Sequence, residues 1–148
     1  MTSSPPKILT QMTAPQRSRL IGDIVTLMTR SDAHKMYKIH HFPELVLPPV
    51  ELDQYRIYHD EHDNPVGFVS WAKLSESAED TLLNKAEPLT FEDWASGEII
   101  YLMEFIAPFG HTKHIVNDIR PLATKAHAIR FNPHTGAKQI DTFFGVKE

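Results

Sequence analysis

Between Ile99 and Gly110 the chain runs IIYLMEFIAPFG, and Glu104 is the only charged side chain in it. A carboxylate inside an apolar stretch is costly unless it is paired, hydrogen-bonded or protonated. Either Glu104 stands at the end of its strand and reaches water or an arginine, or it orients and charges a catalytic partner. The following residues, FIAPFGHTKHI, pass through Gly110 towards a helix, and helix N-termini and sheet openings are common ligand sites. Nine histidines supply candidate partners. His59-x-x-His62 and His111-x-x-His114 have metal-ligand spacing, with Asp60, Glu61 and Asp63 as oxygen donors. The first pair straddles turn residues and the helical HExxH signature is absent, so solvated histidines are the simpler reading and no metal is expected. His40 and His41 are adjacent, and such neighbours seldom chelate together. His34 lies just past the first expected helix, where a single histidine is ordinarily structural. Dinucleotide, Walker and GxSxG motifs are absent, and Ser70 in GFVSWA sits in a strand rather than a nucleophile elbow.

The elements that must position these groups follow from pattern. Pro15 suits the first position of a helix whose stripe is Leu20, Ile24, Leu27 and Met28, ending near Thr29–Asp32. The next twenty residues hold Pro43, Pro48 and Pro49 and no sustained period, which restricts them to short pieces. QYRIYH, the turn DEHDNP and VGFVSWA read as a hairpin. A helix over Leu74–Asn84 has Ser75 or Ser77 as its cap, and TFED starts a single turn through Trp94 that Gly97 closes. Ile99 opens a strand buried on both faces. HTKHIVNDIRPLATKA is a helix that Pro121 interrupts, and AHAIRF and KQIDTFF are two last strands joined by NPHTG. The pattern predicts an α/β domain around a mixed, mostly antiparallel sheet. Residues 1–12 read as a flexible arm and 13–148 as a single domain.

With 148 residues, 41% hydrophobic and 23% charged, the chain has the balance of an ordinary folded domain. A formal charge of −4 argues against nucleic-acid binding through a broad basic face. The absence of cysteine excludes disulfides, thiolate metal sites and a cysteine nucleophile. Neither an apolar run long enough to span a membrane nor a signal pattern is present, so a soluble, cytoplasmic protein is expected.

Three stretches carry a resemblance. VGFVSWAKLSESAEDTL, LTFEDWASGEIIYLMEFIAPFG and AIRFNPHTGAKQIDTFFG are similar to the RTX toxin-activating lysine acyltransferases, the hemolysin-activating proteins, over roughly Ser31 to Gly145. SWAKLS, EDWASGE and IAPFG are the most specific pieces. The resemblance implies a fold like that of GNAT-type N-acetyltransferases, a homodimer, and no cofactor. It implies transfer of a fatty acyl group from acyl-acyl carrier protein to an internal lysine of an RTX protoxin, in the cytoplasm. The family's essential histidine follows a serine in a Ser-x-x-His-Arg pattern, which Ser31-Asp-Ala-His34-Lys35 matches. That makes His34 the leading catalytic candidate and Ser31 a supporting one. The family's essential aspartate, two positions before Ile-Ala-Pro-Phe-Gly, is Glu104 here. On an unmoved backbone the extra methylene displaces the carboxylate by ~1.5 Å, and misplacement of that order costs about 100-fold in rate. Arg130 matches the arginine of the family's Ala-Ile-Arg segment, with its role open.

The implied chemistry is physically coherent. A lysine ammonium, with a pKa of about 10.4, cannot attack a thioester until it loses a proton. A histidine titrating near 6.5 can take that proton, and a carboxylate behind it stabilises the imidazolium. Direct transfer to the amine is favoured over an acyl-serine or acyl-histidine intermediate, with backbone N–H groups around Phe109–Thr112 holding the oxyanion. Arg120, Lys125 and Arg130 form the expected patch for an acidic carrier protein. As a residue of an irregular segment, His34 is expected to contribute to stability only within the ±0.5 kcal/mol usual of surface positions. Two other readings stay open: a non-catalytic binding module on the same fold, and an acyltransferase acting on a different amine.

Overall fold

The computed structural model describes residues 12–123, 125–132, 134–135 and 137–145. Residues 1–11 of the expected N-terminal arm lie outside them. The first helix, α1 (Ala14–Thr29), begins one residue before Pro15, which takes its second position rather than the expected first. Its cap is Thr13, whose side chain accepts from the Gln16 N–H while the Gln16 side chain accepts from the Thr13 N–H. This reciprocal pair satisfies two amides that the helix start leaves unpaired. Leu20, Ile24, Leu27 and Met28 are its buried face.

Short pieces follow, as the prolines require: a π-helical turn over Phe42–Val46 and α2 (Leu47–Glu51). Both tolerate proline because Pro43, Pro48 and Pro49 fall within the first turn, where a missing N–H has no intrahelical role. The hairpin is β1 (Tyr55–His59) and β2 (Pro65–Leu74). Helix α3 (Glu76–Asn84) is capped by Ser75, whose hydroxyl accepts from the Ala78 N–H. A 3-10 turn covers Glu92–Trp94, and β3 spans Ile99–Ile106. Helix α4 (Thr112–Ile119) passes into a 3-10 turn at Arg120–Leu122, where Pro121 was expected to interrupt it. The last strands are β4 (Lys125–Phe131) and β5 (Lys138–Gly145).

The five strands form one sheet in the order β1-β2-β3-β4-β5. All neighbours run antiparallel except β3 and β4, which pair in parallel at Tyr101↔His127 and Leu102↔Ala128 and no further. The fold is therefore mixed α/β with a mostly antiparallel sheet, as expected, and is consistent with a GNAT-like domain. Helix α1 covers one face, packing on Phe68 and Ile106, while Ile115 and Ile119 of α4 cover Val69 and Leu102 on the other. This two-sided cover explains why β2 is buried without interruption from Gly67 to Ser70.

A β-bulge interrupts the pairing of β2 with β3. Ser70 faces Glu104 and Trp71 faces Leu102, so Met103 is the extra residue. A bulge resets the alternation of side chains along a strand. Ile99, Tyr101 and Met103 accordingly pack with Trp94, Ala72 and Leu74, and Ile106 packs on α1. Ile100, Leu102 and Phe105 belong to the opposite face, beneath α4. Met103 and Glu104, though adjacent, both line one cavity.

Gly97 does not close the turn through Trp94 as a helix cap. A Cβ there would meet the Leu74 carbonyl oxygen at 2.5 Å, because this segment lies against the end of β2 and donates the Ser96 and Gly97 N–H groups to Lys73. Gly97→Ala should cost about 1–3 kcal/mol by overpacking against the backbone. Gly22, within α1, would place an added methyl with nothing inside 4 Å of it and should behave oppositely: Gly22→Ala stabilises by about 0.5–1 kcal/mol. Urea unfolding of the two variants tests both signs.

Candidate active site

Residues 31–37 wind in a compact turn held by its own backbone. The Ser31 carbonyl accepts from the N–H groups of His34 and Lys35, and the His34 carbonyl accepts from Tyr37. Three-residue spacing in such a turn sends His34 and Tyr37 the same way, with ring centroids 5.3 Å apart. Opposite them, the bulge delivers Glu104 from β3. His34 Nε2 lies 2.9 Å from Glu104 Oε1, and the Tyr37 hydroxyl lies 3.1 Å from each carboxylate oxygen. Behind the strand, the Glu104 N–H donates to Ser70 Oγ. The carboxylate is only 4% exposed and His34 only 8%, so these partners replace water.

The bonds assign the tautomer. An ionised carboxylate only accepts, so His34 donates to it from Nε2–H. Nδ1 is then the acceptor, and Ser31 Oγ stands 2.7 Å from it to donate. Ser31, His34 and Glu104 thus form a continuous hydroxyl–imidazole–carboxylate relay. The Tyr37 phenol titrates far above its ordinary range, through burial first and the adjacent Glu104 charge second, so it remains a donor at physiological pH. Phe131 of β4 packs edge-on against both Tyr37 and His41 and walls this cluster from the sheet side. Burial, followed by the neighbouring His40, holds His41 below the usual imidazole range, and its Nδ1 accepts from the Lys38 N–H.

The expected residues therefore meet in part. His34, Ser31 and Glu104 come together although 70 residues separate the acid from the histidine. The extra methylene of glutamate does not open the pair, because the carboxylate reaches the imidazole in direct contact. Neither bland alternative for Glu104 holds: it is buried, and its side-chain partners are His34 and Tyr37 rather than an arginine. One expectation is overturned. His34 is buried in a bonded cluster, so its removal leaves a buried carboxylate short of a partner and costs more than a surface change. Arg130 is exposed between Ile129 and Phe131, which line the cavity beside Glu104, so strand alternation turns it away from the site. Arg120 and Lys125 are exposed as well. His59 bonds Asp23 at 2.8 Å, and among the described residues no group of three or more histidine, aspartate or glutamate side chains could hold a metal.

Tyr37 was missed by sequence reasoning. Its signal was available, since it follows His34 at the same spacing by which His34 follows Ser31, within one turn. The cavity was missed too: it measures about 600 Å³ and includes Met103 and Glu104 of β3 with Ile129 and Phe131 of β4. No helix among the described residues is long and apolar enough to cross a membrane.

The chain can be set beside known proteins at this point. Residues 13–142 match the family described as the RTX toxin acyltransferase family. A lysine-acyltransferase, RtxC, of Vibrio cholerae is 39% identical over 109 residues, covering 74% of this chain and 71% of the relative. The protein-lysine myristoyltransferase HlyC of Escherichia coli is 32% identical over 130 residues, covering 86% and 76%. An uncharacterized Synechocystis protein is 41% identical over 103 residues, covering 69% and 70%. The match takes in the turn that carries His34, the bulged strand that carries Glu104 and the sheet between them, and the chain belongs to the RTX toxin acyltransferase family.

Proposed function

We propose that this protein is a protein-lysine acyltransferase that moves a fatty acyl group from acyl-acyl carrier protein to an internal lysine of an RTX protoxin. It acts in the cytoplasm and as a homodimer. The relay of Ser31, His34 and Glu104 is the observation that carries the reading. A buried imidazole with a carboxylate on one nitrogen and a hydroxyl on the other is organised to accept a proton on Nδ1 and hold it.

In the direct reaction, the neutral lysine amine attacks the thioester carbonyl, forming a C–N bond and an oxyanion. Backbone N–H groups over Phe109–Thr112, at the start of α4, are the proposed donors to that oxyanion. The proton lost from the amine passes to Nδ1, directly or through the Ser31 hydroxyl. Collapse of the intermediate breaks the C–S bond, and the imidazolium returns the proton to the departing thiolate. Glu104 stabilises the imidazolium throughout, and Tyr37 fixes the carboxylate. The 2.7 Å contact of Ser31 with Nδ1 also supports a second reading, in which Ser31 Oγ attacks first and an acyl-serine then passes the group to lysine. Incubation with donor alone separates the two, because only the second leaves a hydroxylamine-labile acyl group on Ser31.

Three outcomes are expected. His34→Ala should reduce acylation of a co-expressed protoxin fragment by about 10²–10⁴-fold, with a stability loss of about 1–3 kcal/mol from the deprived carboxylate; near-normal acylation by mass spectrometry rejects the assignment. Glu104→Gln should be nearly inactive although it keeps size and hydrogen bonding, whereas Glu104→Asp should keep partial turnover with the contact lengthened; full activity in the Gln variant removes Glu104 from the mechanism. Charge reversal at Arg120, Lys125 and Arg130 should raise KM for the acyl-carrier protein and flatten its salt dependence, and an unchanged KM rules this patch out as the docking face.

A further inference from the structure

Neither His40 nor His41 takes part in the proposed reaction, and the two neighbours differ in surroundings. His40 is exposed and faces Glu44 at 3.8 Å. His41 is only 5% exposed, with its ring edge-on to Tyr37 at 5.3 Å and to Phe131 at 5.4 Å. Lys38 and His41 exchange two hydrogen bonds. The Lys38 N–H donates to His41 Nδ1 at 2.8 Å, and the His41 N–H donates to the Lys38 carbonyl at 3.0 Å. With Nδ1 accepting, the ring is neutral and carries its proton on Nε2. An apolar ring would fill the same space but offer nothing to the Lys38 N–H.

We infer that His41 is a positioning residue of the candidate active site, holding Tyr37 in the orientation that fixes the Glu104 carboxylate. The inference rests on the proposed acyl transfer for its kinetic consequence, and on the hydrogen bonds of residues 37–41 for its structure. The connection is short. Lys38 N belongs to the peptide group that follows Tyr37, and that group is planar. Anchoring its N–H to His41 therefore fixes ψ of Tyr37, the one backbone torsion between this peptide and the Tyr37 α-carbon. On the other side, the Tyr37 N–H is bonded to the His34 carbonyl at 3.0 Å. Tyr37 is thus held through both flanking peptide groups, and Phe131 stands edge-on to its ring at 6.1 Å. The hydroxyl at the far end of that ring reaches both Glu104 oxygens at 3.1 Å. A small rotation of the backbone is magnified at that distance from it, and misplacement of about 1 Å in a site costs on the order of 100-fold in rate. Burial, followed by the His40 and Lys38 charges, opposes protonation of His41, while Glu44 and Glu104 favour it; burial prevails and Nδ1 remains an acceptor.

The test compares His41→Asn, His41→Phe, Tyr37→Phe and the double variant His41→Phe/Tyr37→Phe. Asparagine places an acceptor oxygen where Nδ1 stood, whereas phenylalanine keeps a ring without an acceptor. In His41→Phe and in Tyr37→Phe, kcat for lysine acylation should fall about 10–100-fold, with KM for the acyl donor within about twofold of wild type. His41→Asn should recover most of the lost kcat. The double variant should turn over like Tyr37→Phe alone, because a residue that acts through Tyr37 then has nothing left to position. The His34 Nε2–H proton, held by Glu104, should give a downfield proton resonance in wild type and His41→Asn that is lost or shifted in His41→Phe; this readout needs no turnover. If His41→Phe does not fold, His41→Leu, equally without an acceptor, takes its place. Normal kcat in the folded variant, with a lower unfolding temperature as the only change, overturns the inference. So does a full further loss of kcat when His41→Phe is added to Tyr37→Phe. If the wild type acylates no lysine from any donor, the acyltransferase reading fails and the resonance alone decides the role of His41. Its loss in His41→Phe with retention in His41→Asn supports positioning, and its persistence unshifted in both overturns it.

Discussion

The carboxylate of Glu104 is the constraint around which this molecule is arranged. An ionised carboxylate removed from water in an apolar strand must recover its hydration from neighbours. Here an imidazole N–H and a phenol do so, and Ser70 takes the strand's own N–H beneath it. The imidazole and the phenol come from one turn, and Ser70 stands on β2. Their positions depend in turn on α1, which ends at Thr29 and delivers the chain into the turn that holds His34 and Tyr37. Loss of packing between α1 and the Phe68–Ile106 surface would therefore act on the carboxylate as surely as a change in the site itself.

The bulge at Met103 is the second device, and it joins packing to chemistry. Without it, strict alternation would place Glu104 on the face of Leu102, beneath α4 and away from the 31–37 turn. The extra residue turns Glu104 towards His34 and lets Met103 remain among the residues packed with Trp94. It falls where β3 loses its parallel partner, so the strand is free to bend there. The same irregularity thus orients the acid and opens the space next to it.

Much of this was legible in the sequence, for identifiable reasons. The α1 stripe, the Ser75 cap, the hairpin and the Pro121 interruption are local signals, and local structure obeyed them. Glu104 stood out because a lone charge in an apolar run has few structural explanations. The bulge left no trace, since IIYLMEFI is apolar on both faces and such a strand has no visible alternation to break. The spacing of Tyr37 after His34 is visible in the sequence, but its role comes from a tertiary contact across 67 residues. Gly97 looks like a helix stop on local grammar, while its cause is a backbone approach to Leu74 that no local pattern encodes. The burial of His34 belongs to the same class: an irregular segment looks exposed until the surface it lies on is known.

Glutamate where the resemblance implies aspartate is a modest change in composition with a definite mechanical consequence. The longer side chain has one more rotatable bond, and freedom of that kind blurs the position of a group that must meet an imidazole at 2.9 Å. Tyr37 counters it by bonding both oxygens, which fixes the plane of the carboxylate while Oε1 stays turned to His34. The arrangement works because the cluster is dry. The low polarity that makes the carboxylate expensive to bury also strengthens its hold on an imidazolium formed beside it. Burial, a cost in the resting protein, is in the proposed mechanism the source of the site's capacity to keep a proton at the moment an amine gives one up.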